Sequence, residues 1–202
     1  EFSGLLKKIG SKESLEVETV KRERKYENLI TINQLKSFAS SIKENEWLSV
    51  DLETTSINPM LAEIVGFSFS IKKDTGVYVP ICFKDKTNNL FGEDDLQIAI
   101  DILKPILENE NIPKTGQNIK YDALIMKRYG INLNGIAFDT MIAAHLISPN
   151  VRSYKLDNLS LTHLGYKMVP IQDLIGSGKN QITMDQVTLE AVSYTHLRAH
   201  ET

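Results

Sequence analysis

Cysteine is nearly absent from this 202-residue chain: Cys82 stands alone, so no internal disulfide can form and a reducing, cytosolic setting is expected. Its expected role is that of a small apolar residue in a strand rather than a nucleophile. No apolar run approaches the roughly 18 residues that span a bilayer, and the first residues lack the charged-then-apolar pattern of a secretory signal, so no membrane partner is expected. There is no large excess of either charge. The net value of −3 excludes broad electrostatic coating of nucleic acid. A local groove stays open, because a site that handles phosphodiesters through metal ions needs acids at its centre. What is present, 42% hydrophobic and 24% charged residues, fits one globular domain with a real core and some extra length.

Residues 1–24 are rich in interleaved Lys, Arg and Glu with few apolar positions, which predicts a linker from an upstream domain. The compact domain is expected to start near Tyr26. Thr31 followed by Gln34 has the form of a capping box, and Ile32, Leu35, Phe38 and Ile42 recur at helical spacing. Trp47 to Thr55 reads as a strand. Ile64 to Ile71 and Gly76 to Ile81 are rich in β-branched and aromatic residues and are joined by the polar stretch Lys72-Lys73-Asp74-Thr75, which predicts an antiparallel meander of three strands. Leu96, Ile100, Leu103 and Leu107 predict a helix, with a kink or an early end near Lys104 because Pro105 follows. Short strands at Ile112–Thr115 and Ile136–Phe138 alternate with helices over Asn118–Tyr129, where Ile119, Leu124, Ile125 and Met126 form the apolar side, and over Met141–Leu146. That alternation implies parallel strands. A further helix is expected over Leu156–Leu164, and Gly176 to Asn180 is a polar loop without the glycine spacing of a phosphate loop. The expected class is α/β: a mixed sheet, antiparallel meander followed by parallel strands, with helices on both faces.

The opening strand ends in two acids one position apart. Period-two alternation puts Asp51 and Glu53 on one face and Val50 and Leu52 on the other. Two carboxylates at one spot repel unless a cation, a proton or solvent relieves them, and hard divalent metals favour such oxygens. The alternative is an exposed strand end where both acids face water. A second cluster, Gly116-Gln117-Asn118-Ile119-Lys120-Tyr121-Asp122, places Asp122 one turn into a helix on the side of Asn118, which would bring a third carboxylate toward the pair. The alternative for Asp122 is a solvated helix acid.

Asp51-Leu-Glu53-Thr with the later Gly116-Gln-Asn-Ile-Lys-Tyr-Asp122 resembles the first two motifs of the DEDD 3′–5′ exonuclease superfamily, whose fold is ribonuclease H-like. IVGFSFSI, YVPI, LKPILENE, GQNIKYDALI, YGINLNGIAFDTM and GKNQITMDQVTLE further resemble, in order and spacing, the proofreading domain of bacterial DNA polymerase I over roughly Tyr26 to Glu190. The resemblance implies that Asp51, Glu53 and Asp122 are three of four carboxylates holding two divalent ions, Mg or Mn, for hydrolysis of the last phosphodiester. Thr54 and Asn118 match positions that contact the terminal nucleotide. Ile57 matches an apolar wedge against the last base, with core packing as its alternative; Asp139 is sufficiently explained as a helix cap. The implied partners are the 3′ end of single-stranded DNA, the dNMP product and a polymerase domain in cis, in the bacterial cytoplasm.

The fourth carboxylate does not transfer. In the family, a helix bearing Tyr-x-x-x-Asp follows the stretch resembling Gln186 to Glu190, and those places fall here on Thr195 and Ala199; a shift by one pairs Tyr194 with Arg198, which cannot ligate a cation. His196 and Glu201 match the spacing of the superfamily's histidine branch only by a change of register. The expectation is therefore an exonuclease domain over 25–190, incomplete at its C-terminus, a non-native tail over 191–202, and weak or no activity for this chain. Two alternatives stand beside it: a stand-alone RNA 3′ exonuclease, and a non-catalytic single-strand-binding or scaffold domain.

Overall fold

Strand β2, Leu48–Thr54, carries out the alternation written in its sequence: Leu48, Val50 and Leu52 are buried in the main core while Asp51 lies half-buried on the opposite face. The computed structural model describes residues 25–81, 95–178, 181–189 and 191. The expected linker over 1–24, Cys82, Thr195 and Ala199, the His196 and Glu201 pair and the tail from 192 onward lie outside the described residues.

Six strands form one mixed sheet in the order β1-β4-β3-β2-β5-β6, where β1 is Lys25–Asn28, β3 Ile64–Ser70, β4 Thr75–Pro80, β5 Lys114–Gly116 and β6 Ile136–Asp139. The meander is as expected, β2 against β3 and β3 against β4 antiparallel. The second half is parallel, β5 beside β2 and β6 beside β5. Strand β1 was not expected. Its four residues, KYEN, expose Lys25 and Glu27 and pair in parallel with β4 through contacts some fifty residues distant, leaving no local pattern to read. Charged side chains on such an edge strand also discourage pairing with another chain.

One face of the sheet is dry. Helix α1, Ile32–Ser41, presents Leu35 and Phe38 to it, and α2, Asp95–Leu107, presents Ala99, Ile100, Leu103 and Leu107. Burial of each of the Leu, Ile and Phe side chains stabilises by roughly 1.5–3 kcal/mol. Thr31 caps α1 by accepting from Gln34 N at 3.2 Å, while Gln34 Oε1 accepts from Ile30 N at 3.0 Å, so the capping pair forms with its return bond one residue earlier than the sequence rule states. Helix α2 does not end at Lys104. It runs through Pro105 to Leu107, because one missing hydrogen bond is offset by complete burial of Leu107 in the core.

The other face is covered in part by α6, Gln172–Ile175, and a 3₁₀ turn, Met184–Gln186, whose Met184 joins Val65, Tyr78 and Val187 in a second apolar cluster. Helix α3, Ile119–Arg128, buries Ile119, Ile125 and Met126; Leu124, expected on that side, is 45% exposed. Helices α4, Thr140–Ile147, and α5, Leu156–Leu164, follow β6, both where the periodicity predicts them.

Candidate active site

The site is created by a fork in the sheet. Strands β2 and β5 pair only at Leu48–Lys114 and Ser49–Thr115, after which β5 turns away and the edge of β2 is left without a strand. Gly116 makes the turn possible, since a Cβ there would stand 2.8 Å from Val50 O. Helix α3 fills the fork with a side chain instead of a strand: Asp122 Oδ1 accepts the Leu52 N–H at 3.1 Å. Asp122 is thus seated at the midpoint of Asp51-Leu52-Glu53, only 2% exposed.

The sequence-derived residues fall as follows. Glu53 is 5% exposed, so the pair is not a strand end facing water. Burial pushes the Asp122 carboxyl well above the usual range, and the charge of Asp51, then that of Glu53, adds to the rise against the lowering bonds from backbone N–H groups. Three acids therefore converge at the end of β2. Asn118 sits in the left-handed region at φ 55°, immediately before α3, a conformation that asparagine tolerates. Thr54 Oγ1 shares a 2.8 Å hydrogen bond with Tyr121 hydroxyl, which also donates to Ser56 O. Ile57 is 96% exposed, which removes core packing as its explanation.

Several supporting residues carried no sequence signal of their role. Tyr121 links α3 to the loop after β2, and burial, with a smaller contribution from the three acids and against the lowering Thr54 bond, raises its phenol. At the other end of α3, Arg128 Nη1 donates to Pro59 O at 2.9 Å and Ala62 O at 2.6 Å. The loop that displays Ile57, Met60 and Leu61 is therefore gripped at both ends by one helix. Asp139 caps α4 as expected, accepting from Met141 N at 2.8 Å and Ile142 N at 3.1 Å, but it also accepts from Asn118 N at 3.3 Å and Ile119 N at 2.8 Å. One carboxylate thus fixes the starts of two helices, including the one that carries Asp122. Two buried hydroxyls on the acid face, Ser68 and Tyr78, have no hydrogen-bond partner among the described residues. Burial drives the Tyr78 phenol well above its ordinary range, with the charge of Glu53 as second cause.

Asp51, Glu53 and Asp122 are the residues that could hold a metal. All are hard oxygen donors of the kind divalent Mg or Mn takes, and a cation would relieve the repulsion from Asp51 and Glu53 that adds to the effect of burial on the Asp122 carboxyl. Among the described residues, no three His, Cys, Asp or Glu side chains already stand close enough to ligate one. No described helix is long and apolar enough to cross a membrane.

The profile of the 3′–5′ exonuclease family matches residues 26–196. DNA polymerase I of Rhizobium leguminosarum is 36% identical over 169 residues, covering 76% of this chain and 16% of that protein. DNA polymerase I of Pseudomonas aeruginosa is 30% identical over 184 residues, covering 88% of this chain and 20% of that protein. The chain spans a fifth or less of the length of these relatives. Among solved structures, Brucella melitensis NrnC with bound Mg²⁺ superposes with a TM-score of 0.53 at 15% identity, over 88% of this chain and 76% of that one, a likeness of fold. The six-stranded mixed sheet, its helices and the matched profile together make this chain a member of the 3′–5′ exonuclease family found in bacterial DNA polymerase I.

Proposed function

We propose that residues 25–190 are the proofreading exonuclease domain of a DNA polymerase I, which removes the 3′-terminal nucleotide of single-stranded DNA as dNMP, with the polymerase domain in cis. The observation that carries this reading is the seating of Asp122 on the Leu52 N–H between Asp51 and Glu53. That bond sets Asp122 of the second motif against the Asp51-Leu52-Glu53 segment of the first. Asp51, Glu53 and Asp122 would hold the divalent ions, Mg or Mn; bound there, these supply an activated water and charge stabilisation at the scissile phosphate. The Mg²⁺ in the NrnC structure supports that choice.

The chain's own residues do the remainder. Thr54, braced by Tyr121, and Asn118, held left-handed beside the Asp139 carboxylate, would contact the terminal nucleotide. Ile57, fully displayed on a gripped loop, would press on the last base. Thr195 and Ala199 stand where the family has its water-orienting tyrosine and fourth acid, so turnover by this chain is expected to be weak. The test is Mg²⁺- or Mn²⁺-dependent release of dNMP from a 3′-labelled single strand. Trace release, lost in Asp51→Ala, is expected; release unaffected by that change would refute the assignment. The same assay on RNA of identical sequence separates this reading from an RNA 3′ exonuclease.

A further inference from the structure

Position 66 is occupied by glycine in the middle of a fully buried strand, where a side chain would ordinarily pack. The reason is the Tyr78 ring. A Cβ on residue 66 would come within 2.7 Å of Tyr78 Cε2 and closer still to Cζ and the hydroxyl oxygen, so the phenol lies in the space that Gly66 leaves vacant. Gly66 is directly opposite Glu53 in the β2–β3 register. Directly opposed positions have their Cβ atoms about 4.5–5.5 Å apart, so the phenol that replaces a side chain at 66 ends beside the side chain of Glu53. Tyr78 itself pairs with Ser68, which pairs with Asp51; the ring therefore leans diagonally from the Asp51 row to the Glu53 row.

The hydroxyl at the end of that ring is wholly buried and has no hydrogen-bond partner among the described residues. Such an orphaned group destabilises the fold, whereas phenylalanine would fill the same space among Val65, Met184 and Val187 without that cost. A donor kept in this place calls for an acceptor that reaches it in another state of the site. A carboxylate that ligates a metal through one oxygen keeps lone pairs on the other, and hydrogen bonds to such oxygens fix the ligand's orientation. Hydrogen bonds at catalytic centres often tighten only when the site is loaded.

We propose that Tyr78 is a positioning residue, whose hydroxyl, admitted to the site by the missing side chain of Gly66, donates to Glu53 when that carboxylate takes up a metal ion. This rests on the reading of Asp51, Glu53 and Asp122 as metal ligands. The role is distinct from filling the core, since only the oxygen atom is needed for it.

The experiment is Mn²⁺ titration by calorimetry of the full 202-residue chain, of Tyr78→Phe and of Asp51→Ala, each with a urea denaturation curve taken without metal. Tyr78→Phe is expected to keep or raise the metal-free urea midpoint and to weaken Mn²⁺ binding roughly 10- to 100-fold. Tight binding in Tyr78→Phe, alongside Asp51-dependent binding in the parent, would overturn the positioning role and leave the metal site standing. Absence of any Asp51-dependent binding in the parent would overturn the metal site and the positioning role together. Should Tyr78→Phe lower the midpoint at unchanged affinity, the hydroxyl serves packing only and the proposal fails. Gly66→Ala, which drives the ring from its space, is expected to weaken Mn²⁺ binding as well, and retention of full affinity there would also count against it.

Discussion

The two faces of strand β2 solve opposite problems with the same backbone. Toward α1 and α2, Leu48, Val50 and Leu52 meet other apolar side chains at close packing, and every atom removed from water contributes to folding. On the other face Asp51 and Glu53 are gathered with Asp122 beside two hydroxyls that have no hydrogen-bond partner among the described residues, a cluster that burial and mutual repulsion make unfavourable. The first face makes the domain stable enough to carry the second. Stability and chemistry are therefore separable here by which side of one strand is altered.

The largest effect is expected from the dry face. Phe67→Ala, which removes a fully buried ring stacked 6.0 Å from Phe69, should cost about 3–5 kcal/mol, read as a drop in urea midpoint. Next is the charge buried at the far end of β2. Lys114, paired in register with Leu48 and wholly buried, has its ammonium lowered from 10.5 to about 8 by burial, with Asn109 O as its acceptor. Between those values the unfolded chain binds more protons than the folded one, so stability should rise with pH, by up to roughly 3 kcal/mol from pH 8 to 10.5. In Lys114→Met that rise should vanish; a rise that persists would place its origin elsewhere.

Asp122→Asn should act in the opposite sense to Phe67→Ala. The folded carboxyl titrates above its unfolded value, so its contribution is full below the unfolded pKa and is lost as pH climbs through the folded one. The metal-free parent should lose stability as pH rises above about 4, the ordinary carboxyl range. Asp122→Asn should flatten that loss and raise the midpoint at neutral pH while abolishing Mn²⁺ binding. Smallest of all, Ile57→Ser should shift stability by less than about 0.5 kcal/mol, as expected for an exposed site, yet weaken binding of a single-stranded oligonucleotide in a fluorescence titration. A large loss of stability would mean that the displayed loop is part of the core.

What could be read in the sequence was what depends on neighbours in the chain. Alternation along Leu48–Thr54, the Thr31 and Gln34 cap and the helical spacing of α5 are local, and the structure contains all three. The convergence of Asp51 with Asp122 was suggested by the spacing of the second cluster but was preferred over a solvated helix acid only through resemblance to a family, because no local rule says that β5 departs from β2 after Ser49. Strand β1 was hidden by its four polar-rich residues, and Leu107 was hidden behind Pro105, whose local penalty is outweighed by tertiary burial. Tyr121, Arg128 and the Tyr78–Gly66 fit are contacts across the fold, and composition carries no trace of them.

The doubled cap at Asp139 reaches back 20 residues to Ile119 and so joins two helices through one side chain. Its carboxylate accepts from Ile119 N and Met141 N alike, so the first turns of α3 and α4 are tied to a single anchor. Opening either turn releases bonds to the carboxylate that also holds the start of the other helix. In terms of cooperative opening, the two turns form one unit, and their amide protons should exchange with solvent as a group. The carboxylate of Asp122, one turn beyond that anchor, then inherits the rigidity of two helices rather than one.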